Sequence, residues 1–432
     1  MSVNVIETPA TPVAATSVER IRSQIEDFAA LTEPDSGRGV TRQGYSALER
    51  RAHGIFGDQM TALGLEVWTD PGGNTIAELA GTEQALPAIG TGSHLDSVPE
   101  GGSFDGIAGV VAAMDVARTV VNDAISHRHP FRFVVFAAEE GARFGQACTG
   151  SRIIAGLTGT DDLAALVDPR GVSVADAMRL IGIDPAAVEG ARWDAADWLA
   201  FIELHIEQGS VLTDVNLNVG IVELISGSTR LKITTNGRAS HTGGTPMHQR
   251  ADALAAAAQI VLAAEALAND DRHRGTRITV GRLDVHPASI TTIPGTCELY
   301  VDIRDVDGER QRSVGTELIA AAYEIGAERG VKVHSEIVGD ASPVVLPVFV
   351  RDSIVAAAQG MGLPYRVMPS GASHDAQMIN HVVPTGMIFV PSQNHGISHA
   401  PEELTSFEDI ALGAKLLRTS LMVLDQISAR AV

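Results

Sequence analysis

A chain of 432 residues, 45% hydrophobic and 20% charged, is too long for one ordinary core and reads as two or three domain-sized units of a globular protein. A formal net charge of −21 argues against nucleic acid and anionic membranes as partners, and no apolar run reaches the roughly 18–20 residues of a membrane helix. Two cysteines, Cys148 and Cys297, are too few for a disulfide framework or a thiolate metal site, so any metal must be held by His and carboxylates.

Residues 1–16, MSVNVIETPATPVAAT, are rich in Pro, Ala and Thr and read as a flexible leader. The start carries Glu7 and lacks a basic segment before an apolar core, so it is not a signal peptide and the cytoplasm is the expected compartment. Over 17–219, the amphipathic helices VERIRSQIEDFAAL and YSALERRAHGIFGDQMTALG and the buried helix GVVAAMDVARTVV alternate with strands LEVWTD, TIAELA, AIGTGSH and FRFVVFAA. That alternation predicts an α/β domain with a mixed, mostly parallel sheet. From residue 220 the texture changes. GIVELISGSTRLKITTNGRASHTG has the two-residue period of strands, and the helix ADALAAAAQIVLAAEALAN follows. Strands TRITVGRLDV and GTCELYVDIRDV then precede a helix over RQRSVGTELIAAAYEIGAERG. The order β-β-α-β-β-α over 220–340 predicts a small α+β insertion, a lid on the larger domain. Over 341–432 the first texture resumes with SIVAAAQGMG, PTGMIFV and the helix DIALGAKLLRTSLMVLDQIS, so the larger domain is split in two parts.

Five segments hold His or carboxylates where structure alone calls for apolar or turn residues. In GSHLDSVPEGGSFDG, strand AIGTGSH runs into a loop with His94, Asp96 and, eleven residues after His94, Asp105. Ligands collect at such strand ends, where His94 can bind a metal while Asp96 orients its ring; the plainer reading is a solvated turn. In FVVFAAEEGARFG, the adjacent Glu139 and Glu140 repel one another unless a cation or shared proton compensates. One can ligate a metal while the other takes a proton from an attacking water; the plainer reading is an acidic helix start. His205 in FIELHIEQG sits in an apolar strand, where a lone His is more often a core residue. VPSQNHGISHAPEE offers His395 and His399, of which only one need be a ligand, and RASHTGGTP places His241 in a turn of the insertion. Together His94, Asp105, Glu140, His205 and His399 suit two divalent ions about 3.5–4 Å apart that share one bridging carboxylate. Without thiolates, the ions expected are Zn, Mn, Co or Ni. The chemistry implied is hydrolysis, in which a bridging water loses its proton to a carboxylate and attacks a carbonyl.

The motifs GSHLDSVPEGGSFDGIAGV, FAAEEGARFG, ELHIEQG, HTGGTPMHQRADAL, SGASHDAQ and HGISHAPEE, in this order, resemble the hydantoinase/carbamoylase-type amidohydrolases, a branch of the dinuclear metallopeptidases. That family contains N-carbamoyl-L-amino-acid hydrolases, β-ureidopropionases and allantoate amidohydrolases. The resemblance, from about residue 18 onward, implies a three-layer catalytic domain and a ferredoxin-like lid that also dimerises. It implies one metal on His94, Asp105 and His205 and a second on Asp105, Glu140 and His399, with Glu139 as general base and Asp96 as partner of His94. By the same resemblance Gln208 contacts substrate, and Arg304 grips a substrate carboxylate through a bidentate pair. His241 would stabilise the developing oxyanion, within its own chain or from the partner subunit of a homodimer.

Two positions depart from the family pattern: Thr291 stands where an Asn usually hydrogen-bonds substrate, and Ser373 where a Gly usually lets backbone approach it. The substrate expected is a small amide or ureido acid with a carboxylate. N-carbamoyl-L-amino acids lead, followed by allantoate and then another N-acyl amino acid. A peptidase and a non-catalytic binding protein are the competing readings. Gln208 and Arg304 fit a small acidic substrate better than an extended chain, and all five ligands and Glu139 are retained.

Overall fold

The computed structural model describes residues 16–427. The leader read over 1–16 lies outside them but for Thr16, which caps the helix Ser17–Ala29 in a reciprocal capping box with Glu19. No helix among the described residues is long and apolar enough to cross a membrane.

A nine-stranded mixed sheet organises the larger layer. At its centre four strands run parallel in the order Phe131–Phe136, Ala88–His94, Trp198–Ile206 and Thr385–Val390. Burial on both faces explains their near-continuous apolar character; every residue of WLAFIELHI in Trp198–Ile206 is buried. Helices Ser17–Ala29, Ile107–Asn122, Val348–Gly360 and Phe407–Asp425 pack on one another over one face, in a core that includes Ile21, Val110, Ile202, Ile354 and Leu417. The other face is covered by the short helices Thr149–Ile154 and Asp375–Ile379, through Ile154 and Ile379 against Phe136 and Phe201. Three layers result, as expected.

The second sheet has four strands, Gly227–Asn236, Arg277–His286, Thr296–Asp305 and Lys332–Ala341, and two long helices, Ala253–Ala268 and Gly308–Arg329. Its chain order is β-α-β-β-α-β and every strand pairing is antiparallel, the ferredoxin-like arrangement. The order β-β-α-β-β-α and the boundary at 220 are corrected here. Gly220–Ile225 pairs with Thr385–Val390 and Arg366–Ser370 in the large sheet, and Lys332–Ala341 supplies the fourth strand of the small one. Strict alternation along Thr296–Asp305 turns Cys297, Leu299, Val301 and Ile303 toward the two helices. Glu298, Tyr300, Asp302 and Arg304 therefore stand on the opposite face.

A small tongue projects from this unit, in which Ser240–His241 pairs with Thr292–Ile293.

Candidate metal centre

Four ligand-bearing segments leave the carboxyl ends of the four adjacent parallel strands, the edge at which open α/β sheets collect ligands. The bridging geometry centres on Asp105. Its Oδ1 lies 3.5 Å from His94 Nε2 and 3.2 Å from His205 Nε2. Its Oδ2 lies 3.3 Å from His399 Nε2, which is itself 3.5 Å from Glu140 Oε2. Donor atoms of His94, Asp105 and His205, and of Asp105, Glu140 and His399, thus converge in two groups that share one carboxylate. Glu139 Oε2 stands 3.9 Å from His94 Nε2, beside these groups. The turn carrying Asp105 needs glycine at 106. Its φ is +67°, and a Cβ there would lie 2.5 Å from the His94 ring.

The ring orientations are held from behind. His205 Nδ1 lies 2.9 Å from the Ile206 carbonyl, and His94 Nδ1 lies 3.2 Å from the Asp96 carbonyl and 3.4 Å from its Oδ1. Each therefore turns Nε2 toward Asp105. Asp96 does more than orient His94: its two oxygens accept the Glu139 and Glu140 amides, each at 3.0 Å. Glu403 performs the matching task for the loop, accepting the Phe104 and Asp105 amides at 2.9 and 3.0 Å, and Ser398 Oγ bridges Glu403 Oε2 and Asp105 Oδ2. These supports were not assigned from sequence, although Glu403 ends the quoted motif HGISHAPEE.

The charges call for a cation. Burial alone would lower His94, His205 and His399, but Asp105 holds all three imidazoles above their ordinary range. Burial together with the Asp105 charge pushes Glu140 well above the carboxylate range, and burial raises Glu139. Glu140 Oε1 is buried with no hydrogen-bond partner. An unpartnered carboxylate oxygen among imidazoles that take up protons to offset negative charge fits divalent metal ions. A third group, Glu203, His205 and His374, shares His205. There both Glu203 oxygens are engaged, by Ser93 Oγ and the Ala376 amide at 2.8 Å each, so Glu203 ties strand to helix.

A cavity of about 760 Å³ opens over the centre. Asp105, Glu139, Glu140, His205, Gln208 and His399 line one side, Arg304 and Ser373 also face it, and Val98, Phe144, Leu166 and Val167 form an apolar flank. Gln208 donates its amide to Asp105 Oδ2 at 2.7 Å, while its Oε1 is buried without a partner. Arg304 Nε is bound to Asp302 Oδ2 at 2.8 Å. His241 and Thr291 are not among the residues lining the cavity; both are exposed in the tongue, where Thr242 donates its amide to the Thr291 carbonyl. His395, the other His of its motif, is not among the residues lining the cavity, although both histidines are exposed and left-handed.

A three-layer α/β fold with His and carboxylates gathered at the carboxyl edge of its parallel strands is an arrangement that suits a metal-dependent hydrolase. Residues 90–422 match the model of peptidase family M20/M25/M40, and the chain belongs to that family. It is 38% identical over 408 residues to the N-carbamoyl-L-amino-acid amidohydrolase of Paenarthrobacter aurescens, covering 94% of this chain and 98% of the relative. It is 35% identical over 408 residues to the allantoate amidohydrolase of Escherichia coli (strain K12), covering 94% and 97%. The solved structure of an amidase of the hydantoinase/carbamoylase family from Burkholderia vietnamiensis superposes with a TM-score of 0.88 at 31% identity, covering 94% of this chain and 97% of that one. The protein is an amidohydrolase of the hydantoinase/carbamoylase type.

Proposed function

We propose that the chain hydrolyses N-carbamoyl-L-amino acids, adding water to release the amino acid, carbon dioxide and ammonia. The observation that carries this reading is the make-up of the cavity: metal-binding groups on its floor, Arg304 on its wall and an apolar flank from Val98, Phe144, Leu166 and Val167. An N-carbamoyl amino acid brings a ureido carbonyl, a carboxylate and a side chain to match these three features. Allantoate brings a second ureido group and nothing apolar.

Two divalent ions, of zinc, manganese, cobalt or nickel, would be held by His94, Asp105 and His205 and by Asp105, Glu140 and His399; when bound they acidify a water and polarise the carbonyl. Glu139 takes the proton of the attacking water and returns it to the leaving nitrogen. Arg304 pairs with the substrate carboxylate, and the unpartnered Gln208 Oε1 accepts a ureido N–H. Ser373, on the cavity wall, shapes specificity in its own chain, while Thr291, which stands outside that cavity with His241, would do so only in the partner subunit's site. His241 Nδ1 accepts the Gly243 and Gly244 amides at 3.1 and 3.0 Å, so its neutral ring carries the proton on Nε2, suited to donate to an oxyanion. Because His241 stands outside its own cavity, the reading assigns it to the partner subunit's site, in a homodimer formed through the inserted unit.

Initial rates on N-carbamoyl, N-formyl and N-acetyl amino acids, allantoate and dipeptides test the substrate. The expected order puts N-carbamoyl-L-amino acids with apolar side chains first; a higher kcat/KM for allantoate or for dipeptides would reject it. Mixing inactive H241A with inactive E139Q tests the partner arrangement. Restored activity is expected in mixed dimers, and its absence despite subunit exchange would place His241 in its own chain.

A further inference from the structure

Strand Phe131–Phe136 ends where its ladder ends, leaving the amides of residues 137–140 to find acceptors elsewhere. All four find side chains. Ala137 N–H donates to Asn74 Oδ1 at 2.9 Å and Ala138 N–H to Glu49 Oε1 at 2.7 Å, while Glu139 and Glu140 donate to Asp96. The carbonyls of 137, 138 and 139 accept the Gly150, Thr149 and Cys148 amides, so the segment is held on both edges. Ala138 itself lies at φ +53°, a left-handed conformation that a residue with a Cβ adopts only when its surroundings impose it.

Glu49 is the part of those surroundings that comes from farthest away in function. It lies on helix Ala47–Ala62, is 2% exposed, and its second oxygen accepts the Tyr45 amide, with Tyr45 also left-handed at φ +51°. One carboxylate thus ties two strained backbones together. They press closely: a Cβ on Gly44 would lie 2.5 Å from the Ala138 Cβ.

We propose that Glu49 is a positioning residue for the general base, fixing the left-handed turn at Ala138 from which Glu139 and Glu140 diverge. This rests on the reading of Glu139 as the base. Without that turn, the two consecutive carboxylates could not be aimed separately, one at the attacking water and one at a metal. Glu49 touches neither substrate nor ligand and acts only through the peptide.

Steady-state kinetics of E49Q, E49D and E139Q on an N-carbamoyl amino acid, normalised to folded protein with its metal content measured, test the proposal. Gln retains one acceptor and sets an NH₂ group against the other amide. A misplacement near 1 Å costs on the order of 100-fold, so kcat of E49Q is expected to fall about 10- to 100-fold, with KM within about threefold and metal content unchanged. E49D, which restores both acceptors on a shorter stem, is expected to recover part of that loss. Should E49Q not fold, G44A carries the test, since its added Cβ displaces the Ala138 turn with Glu49 intact, and the same KM-independent fall is expected. Wild-type kcat per folded, metal-loaded E49Q (or G44A) would overturn the proposal, as would a loss in E49Q that follows metal content alone. Failure of the underlying reading looks different: E139Q would retain turnover.

Discussion

Asp105 offers one oxygen to each half of the centre, and that division sets what substitutions around it should do. Asp96→Asn keeps the shape but faces one of the Glu139 and Glu140 amides with a donor. Metal affinity is expected to fall about 10- to 100-fold, the usual cost of losing such support, as measured by competition with a chromogenic chelator. Glu139→Gln should retain metal and lose at least about 100-fold in kcat, the lower bound for a positioned general base. A variant keeping both would remove Glu139 from the chemistry. The raised histidines give a sign for pH. Because His94, His205 and His399 are held above the ordinary imidazole range and ligate only without the proton, metal loading should expel protons and tighten as pH rises. Calorimetry in buffers of different ionisation enthalpy measures this, and no buffer dependence would contradict it.

At this scale the candidate ligands His94, Glu140 and His205 are legible in sequence because apolar strands end at, run into or contain them, whereas Asp105 and His399 lie in loops beyond the strands. The choice between His395 and His399 is not legible, since both are left-handed residues of one loop and only the folded chain brings His399 Nε2 beside Asp105 and Glu140. Nor is the engagement of Gln208 with Asp105, which joins residues 103 apart.

The parallel strands work as an element because helices can sit close upon them. Gly109 in helix Ile107–Asn122 shows how close: a Cβ would lie 2.2 Å from the Leu204 carbonyl oxygen and 2.7 Å from the Ser93 Cβ. Gly109→Ala must therefore move the helix, and overpacking of this kind costs about 1–3 kcal/mol. A clear drop in Tm is expected, together with weaker metal binding because Ser93 and Leu204 adjoin His94 and His205; an unchanged Tm would show that the helix shifts freely. Periodicity found the four parallel strands at the centre of the large sheet but missed Lys332–Ala341 and Arg366–Ser370 and misassigned Gly220–Ile225. Only Ser226 separates it from Gly227–Asn236, so the two read as one continuous strand-like stretch. Which sheet a strand joins is decided by partners more than a hundred residues away, Thr385–Val390 here, and local pattern carries no record of them.

Across the whole molecule, the cavity lies between two sheets with separate cores, and Arg230 of the small sheet reaches the Gly145 carbonyl at 2.8 Å in the loop after Glu140. Ions held as proposed should stabilise the larger layer in particular, because the candidate ligands lie in or follow four of its strands. Ions present at about 100 times their Kd add about 2.7 kcal/mol by mass action, so chelation should lower Tm and re-addition should restore it. A thermal scan with and without chelator that shows no shift would mean that the ions do not brace the sheet. The split of the larger domain is legible from the return of its texture after residue 341, whereas the pairing of Ser240–His241 with Thr292–Ile293 is not, because the partners lie far apart along the chain.

The strand order also bears on how the chain matures. Thr385–Val390 enters the sheet between Trp198–Ile206 and Gly220–Ile225, two strands that are formed far earlier along the chain. His399 follows that strand, so its place beside Glu140 depends on the strand being seated. On the proposed two-ion reading, the donor group of Asp105, Glu140 and His399 is therefore completed only by the last parallel strand to enter the sheet.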